Sequence, residues 1–500
     1  MEEKLNQLKA ILAEISDLNA ASALMGWDQQ VYMPQGGAGA RGTQLATLQK
    51  LIHQKSISPE IGQLLEDLSA ETANLDPDSD EARLIKVAKR DYERAAKVPP
   101  SFTAEFAKVT SDAFGAWMEA RSSDNFSKFQ PHLEKIVDLG KQYVEFFAPY
   151  EHVYDPLLDM FEPGMKTADV RAIFDAMRPK QVALIQEIGN QPQVDDAFLH
   201  KKFDEQKQWD FGVSVITKFG YDWNRGRQDK SAHPFTTNFS RDDVRITTRF
   251  EVDYLGSALF STMHEGGHAL YEQGSSPKYE RSPLAGGASL AVHESQSRMF
   301  ENLIGRSMPF WEHFYPQLQD TFSAQLGNVD LQTFYKGINK VEPSLIRVEA
   351  DEATYNLHIM LRLELEIALM EGTLAVADLP EAWNARMEEY LGLTPPNDAD
   401  GVLQDVHWSG GMIGYFSTYA LGNLVSVQLW EKMNADMPNM EDQIRKGKFG
   451  DLLNWLVENV HQHGRKYEPQ ELVQRVTGSK IDPAPYLRYL ERKYGQIYGF

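Results

Sequence analysis

The stretch that most limits how this chain can fold is Met263-His264-Glu265-Gly266-Gly267-His268-Ala269-Leu270-Tyr271. Two histidines at i and i+4 lie about one helical turn apart on one face, so both imidazoles can reach a single metal ion. Glu265 lies beside that face. In this His-Glu-x-x-His spacing the histidines bind zinc, and the carboxylate acts as general base toward the water on the metal. Three fixed positions also arise by chance, so the neighbourhood must carry part of the argument. The preceding run from Tyr254 to Met263 is apolar and small, which suits a buried helix lining a site. Gly266 and Gly267 argue against a purely structural helix, since each costs about 1 kcal/mol relative to alanine. They predict close approach by a neighbouring backbone or by substrate.

A catalytic zinc takes three protein ligands and keeps a fourth position open. The chain has no cysteine, so thiolate sites and disulfides are excluded and the third ligand is a carboxylate or histidine. The same absence is compatible with a reducing cytoplasm. Glu294 lies 26 residues beyond His268, on a helix predicted from Ser289 to Gly305. Glu301 sits two turns later on a similar face and competes. Spacing favours Glu294, the nearer of the two to Gly286-Gly287-Ala288. His293 either orients a ligand or is a core histidine bonded to a carbonyl.

A formal net charge of -22 gives no long-range attraction to phosphate backbones or anionic lipid, which argues against nucleic-acid and membrane-surface roles. No window is long and apolar enough to span a bilayer, and the amino terminus lacks a secretory pattern, so the expected location is cytoplasmic. Leu5, Leu8, Leu12, Ile15 and Leu18 recur at helical spacing between Glu3 and Trp27. Helical periodicity returns at Arg41–Gln54, Ser58–Leu68, Asp80–Lys97, Ser101–Arg121, Asn125–Ala148, Thr167–Gly189, Ala197–Phe219, Asp351–Glu371, Leu379–Leu391 and Met412–Met433. One region reads as extended: Thr236–Ser240 and Val244–Phe250 are β-branched and aromatic around an Arg241-Asp242-Asp243 turn, predicting a small hairpin just before the metal helix. The fold class is mainly α: one large helical domain over residues 1–500, in one piece or as two lobes.

Other candidates are less defined by spacing. Arg347 lies among apolar residues and either pairs with Asp351 or another acid, or clamps an anionic substrate end. His407 precedes Ser409-Gly410-Gly411, with Tyr415 and Tyr419 following; a histidine and a tyrosine entering a zinc cleft can stabilise an oxyanion, whereas the alternative is a structural loop with an aromatic anchor. His461 and His463 are two apart on a predicted helix end and are read as surface residues.

Six ordered motifs together resemble one family. They are His233-Pro234-Phe235, Asp243-Val244-Arg245-Ile246-Thr247, His264-Glu265-Gly266-Gly267-His268, His293-Glu294-Ser295-Gln296, Ile346-Arg347-Val348-Glu349-Ala350-Asp351, and Gly401 through Trp408. They closely resemble the signatures of the carboxypeptidase Taq metallocarboxypeptidases. The resemblance implies a saddle-like helical fold with a deep groove, similar to angiotensin-converting enzyme and neurolysin, and a homodimer. It implies release of single residues from peptides with a free carboxy terminus, with broad specificity and poor acceptance of proline. It implies a zinc site on His264, His268 and Glu294, with Glu265 as base; Co2+ fits the same ligand set. Arg347 is then the expected carboxylate receptor, Arg245, His233 and the His407 loop line the groove, and Tyr415, or failing it Tyr419, assists the oxyanion.

Overall fold

The apolar stripe of the first helix decides how the chain begins to pack. In the computed structural model, which describes residues 1–500, that helix is Glu2–Val31, and its Leu5 and Leu8 join Ile61, Leu64, Leu65 and Leu68 in one core cluster. Ser58 starts the helix Pro59–Glu71 by accepting the Ile61 N–H, and proline at the first helical position forfeits no donor the helix needs. Helix Asp80–Lys97 adds Leu84, Ile85 and Val87 to the same cluster. Each such side chain, fully buried, stabilises by about 1.5–3 kcal/mol.

The chain separates into two compact units, each assembled from three stretches. The first comprises Met1–Ala96, Asp196–Ile338 and Leu429–Gly478; the second comprises Lys97–Asp195, Asn339–Gln428 and Ser479–Phe500. No helix is long and apolar enough to cross a membrane.

The first unit contains a three-stranded sheet of order β1-β3-β2, with β1 at Gly226–Lys230, β2 at Thr236–Ser240 and β3 at Asp243–Thr248. The expected hairpin is β2 and β3, antiparallel with Thr237 opposite Arg245. β1 is additional and runs parallel to β3, Arg227 opposite Arg245. Its sequence, Gly-Arg-Gln-Asp-Lys, carries no apolar alternation, so nothing in the local pattern announces a strand. Tertiary context supplies it: Tyr221 Oη donates to the Val244 carbonyl at 2.7 Å beside the ladder. β3 buries Val244 and Ile246 and packs on the helix Leu255–Gly274.

That helix carries His264 and His268. A Cβ on Gly267 would lie 2.6 Å from the Gln296 carbonyl oxygen and 2.7 Å from Ser297 Cα. The glycine is therefore needed for backbone approach, by the helix Leu290–Arg298. The predicted single helix from Ser289 to Gly305 is two segments, Leu290–Arg298 and a π-helical stretch Met299–Ile304. Ser289 caps the first segment by accepting the Val292 N–H at 3.1 Å.

The second unit includes the helices Pro100–Ser122, Gln130–Glu145, Thr167–Gly189, Tyr355–Glu371 and Leu379–Leu391. Tyr355–Glu371 is buried on nearly every side, including its polar residues His358, Arg362 and Glu366. An all-round apolar helix belongs inside a large core, and its polar residues then need partners. The helix starts later than the predicted Asp351, because that carboxylate accepts the backbone N–H groups of Ala353 at 2.9 Å and Thr354 at 3.0 Å. The predicted helix from Met412 likewise begins only at Ser417. Gly414, with φ +99° and no room for a Cβ beside the Leu157 carbonyl at 2.7 Å, keeps the chain out of the helix until then.

Candidate metal centre

Because the histidine helix and the Leu290–Arg298 helix touch at Gly267, Glu294 is carried to the histidine face. Glu294 Oε2 lies 3.7 Å from His264 Nε2 and 3.6 Å from His268 Nε2. One ligand atom from each of the three residues falls within 4.8 Å of the others. The other ring nitrogens are already engaged. His264 Nδ1 donates to Glu301 Oε2 at 2.9 Å. His268 Nδ1 lies 2.7 Å from His293 Nδ1, and His293 Nε2 lies 2.7 Å from Glu272 Oε1. The carboxylate must accept from His293 Nε2, so His293 Nδ1 accepts from His268 Nδ1. Both Nε2 lone pairs are thereby left facing Glu294, the tautomer a metal ligand requires.

The residues fit a divalent cation in charge as well as geometry. Glu294 is nearly fully buried, and burial alone would protonate it. The Arg298 guanidinium beside it overcomes that penalty and holds its carboxyl well below the usual range. Arg298 Nε donates to Glu294 Oε1 at 2.7 Å, leaving Oε2 toward the histidines. Arg298 also reaches Glu301 at 3.2 Å, and Arg306 binds the other Glu301 oxygen at 3.1 Å. Glu301, the competing ligand by spacing, thus orients His264 from behind. Burial pushes the Glu265 carboxyl up, against His264 and the Thr236 hydroxyl, which donates to its Oε2 at 2.6 Å.

Among residues singled out in the sequence, Arg245 gives its fork to Asp243, both bonds at 2.8 Å, and lies over Trp27 and Phe239. His233 is exposed in the segment between β1 and β2, and its carbonyl accepts from Ser231 Oγ. His461 is not a surface residue: it is fully buried, 2.9 Å from Gln296 Oε1 and packed against Tyr271. Sequence spacing put it at a helix end but could not see that a tertiary partner covers it.

The remaining candidates cluster in the second unit. Arg347 Nε and Nη2 donate to Asp405 Oδ1 at 3.0 and 2.8 Å, and Nη1 donates to Tyr355 Oη at 2.9 Å. Its partner is therefore Asp405 and not Asp351. Arg362 takes the other Asp405 oxygen, its Nε donating at 2.7 Å. Burial, reinforced by Arg347, pulls Arg362 down to about 10, so it stays charged at neutral pH. His407 lies 3.4 Å from Tyr419 Oη, and its ring centroid is 5.4 Å from that of Tyr415. Burial draws His407 down to about 4, leaving a neutral ring at pH 7. Sequence reasoning missed Arg298, Arg306, Glu272, Thr236, Arg362 and Glu366; of these only Arg298, one turn beyond Glu294, carried a local signal.

Known proteins identify the family. Residues 7–494 match the family model described as carboxypeptidase Taq (M32) metallopeptidase. The chain is 42% identical over 496 residues to thermostable carboxypeptidase 1 of Thermus thermophilus, covering 97% of each chain. It is 37% identical to carboxypeptidase 1 of Bacillus subtilis, covering 98% of this chain and 97% of the other. The M32 carboxypeptidase crystal structure from Deinococcus radiodurans superposes with a TM-score of 0.97 at 41% identity over 100% of both chains. For a Pyrococcus furiosus carboxypeptidase structure the TM-score is 0.95 at 38% identity, over 99% of both. This chain therefore belongs to the carboxypeptidase Taq (M32) family of metallopeptidases and is a peptide-hydrolysing metallocarboxypeptidase.

Proposed function

We propose that the chain is a zinc carboxypeptidase that releases single residues from free carboxy termini with broad side-chain tolerance, using His264, His268 and Glu294 as ligands. The observation that carries this reading is the convergence of two Nε2 atoms and one carboxylate oxygen, with both Nδ1 atoms already occupied. A two-histidine, one-carboxylate set suits zinc, and cobalt fits the same donors. A bound ion of this kind supplies Lewis-acid polarisation of the scissile carbonyl and a lowered pKa for the attacking water. Glu265 takes the proton of that water and passes it to the leaving amine; its burial supports the role by favouring a carboxyl that readily holds a proton. The Thr236 hydroxyl keeps the carboxylate oriented meanwhile.

In the same reading Arg347 receives the terminal carboxylate of the peptide. Its bonds to Asp405 and Tyr355 use three of its five N–H groups, and one aspartate against two buried guanidiniums leaves positive charge for an anion. Neutral His407, with Tyr415 or Tyr419, donates to the developing oxyanion. Arg245 and the His407 loop limit substrate length, and His233 contacts the substrate. A homodimer in the cytoplasm completes the proposal, on resemblance to the family.

Hydrolysis of a blocked dipeptide with a free or an amidated carboxy terminus, each with and without chelator, tests it. Cleavage of the free form alone, abolished by chelation and restored by zinc, is expected. Equal cleavage of both would mean an endopeptidase, and chelator-resistant cleavage would remove the metal from the account.

A further inference from the structure

His407 sits in the second unit with little of its own to hold it. Its Nδ1 is buried without a hydrogen-bond partner, and its one side-chain bond, to Tyr419, is long at 3.4 Å. The ring otherwise packs, 4.5 Å from Phe416 and 5.4 Å from Tyr415 between centroids, with Nδ1 3.8 Å from Asp405 Oδ1, beyond hydrogen-bond distance. With only long polar contacts on the ring, its position depends on the backbone of the segment running from His407 to Tyr415. That segment is fastened at both ends by one side chain, Glu366, from the helix Tyr355–Glu371. Trp408 Nε1 donates to Glu366 Oε1 at 2.7 Å, one residue after His407. The Gly414 N–H donates to Oε2 at 2.9 Å, one residue before Tyr415, and Tyr154 Oη donates to the same oxygen at 2.5 Å.

We infer that Glu366 is a positioning residue for the reaction: its two carboxylate oxygens fix the distance between the ends of the loop and so aim His407 and Tyr415 together. The inference rests on the proposed role of those two residues. An ionised carboxylate is the only common side chain that accepts from both ends at once; an amide of the same shape offers one acceptor oxygen and one NH2, which repels a facing N–H. Burial raises the Glu366 carboxyl to about 7, against donation from Tyr154, Gly414 and Trp408 and the charge of Arg362 one turn away. Arg362 in turn faces Asp405 and Arg347. Protonation at one oxygen would leave a donor facing a donor, so loop alignment is expected to weaken as pH falls below neutrality.

A double-mutant cycle on the full-length, metal-loaded enzyme decides the matter, reading kcat and KM with metal content as a control. Glu366→Gln is expected to lower kcat ten-fold or more, with KM changed less than three-fold, metal content unchanged, and the acidic limb of the kcat profile displaced. In a His407→Ala, Tyr415→Phe background the same change is expected to cost less than three-fold, because nothing remains to be aimed. A full-sized loss in that background, or no loss in the parent, overturns the inference. Should Glu366→Gln not fold, Trp408→Phe removes one end of the clamp while keeping the ring; the same dependence on background is expected, and its absence is equally decisive. If His407→Ala and Tyr415→Phe alone leave kcat untouched, it is the proposed function of those residues that fails, and this inference falls with it.

Discussion

The histidine centre of the first unit and the Arg347 cluster of the second, the latter the more deeply buried, hold opposite excess charge among the groups bonded to one another. Glu265, Glu272, Glu294 and Glu301 surround the histidines, against the guanidiniums of Arg298 and Arg306. In the second unit one carboxylate, Asp405, stands between the two guanidiniums of Arg347 and Arg362. Buried charge without compensation is costly, so a protein tolerates an imbalance mainly where a ligand completes it. The first imbalance suits a cation and the second an anion. The proposed function assigns a role to each, the first at the scissile bond and the second at the end of the peptide.

Breaking the first half of the comparison should give the largest effect. Glu265→Gln keeps the shape and the ligands, and should lower kcat by about 10²–10⁴-fold with metal content unchanged. Steady-state kinetics beside metal analysis measures this, and a near-normal rate would mean that the carboxylate is not the base. Arg347→Met breaks the second half and leaves Asp405 balanced by Arg362 alone. Turnover of peptides with a free carboxylate should fall on the order of 100-fold, the worth of a charge-assisted bond pair, while amidated peptides stay equally poor. Glu301→Gln sharpens the first half: it keeps an acceptor for His264 but removes charge, and zinc affinity should weaken by about 10-fold or more in a competition titration.

The smallest expected effect is on stability against pH, and it separates two aspartates of the second unit. Asp405 is held well below the ordinary range: burial opposes this, but Arg362 and Arg347 prevail. Its stabilisation is present above an unfolded pKa of about 4 and is lost as the solution becomes more acidic than that. Asp351 accepts backbone N–H groups and a Thr354 hydroxyl, and burial pushes it up to about 6. Its sign is reversed: the contribution is complete below about 4 and is lost as pH rises through about 6. Melting temperatures between pH 4 and 7 should therefore fall less steeply toward high pH in Asp351→Asn than in the parent. An unchanged slope would mean that Asp351 does not titrate in this window.

The residues that were legible in the sequence are those whose partners are close along the chain. The His264 and His268 pair lies within one turn, the first helix declares itself by a stripe of leucines, and the β2–β3 hairpin by its β-branched residues. Glu294 and Glu301 were both visible, and spacing favoured Glu294 without deciding between them, because both sit on one face two turns apart. The π-helical stretch and the contact at Gly267 separate them in space. What was hidden depends on distant partners. β1 is polar and becomes a strand only beside β3; His461 becomes a core residue only when Gln296 and Tyr271 cover it. Asp405, 58 positions from Arg347, decides what that arginine is bonded to, and Glu366 looked like one polar residue in an apolar helix.

The central claim is that His264, His268 and Glu294 hold the one ion on which hydrolysis depends. Zinc titration by calorimetry into chelator-stripped parent and Glu294→Ala, with activity followed in parallel, tests it most directly. The account predicts one tight site per chain in the parent, with hydrolysis rising as the site fills, and severely weakened binding with lost hydrolysis in the variant. Tight, stoichiometric zinc binding and full activity in Glu294→Ala would contradict it.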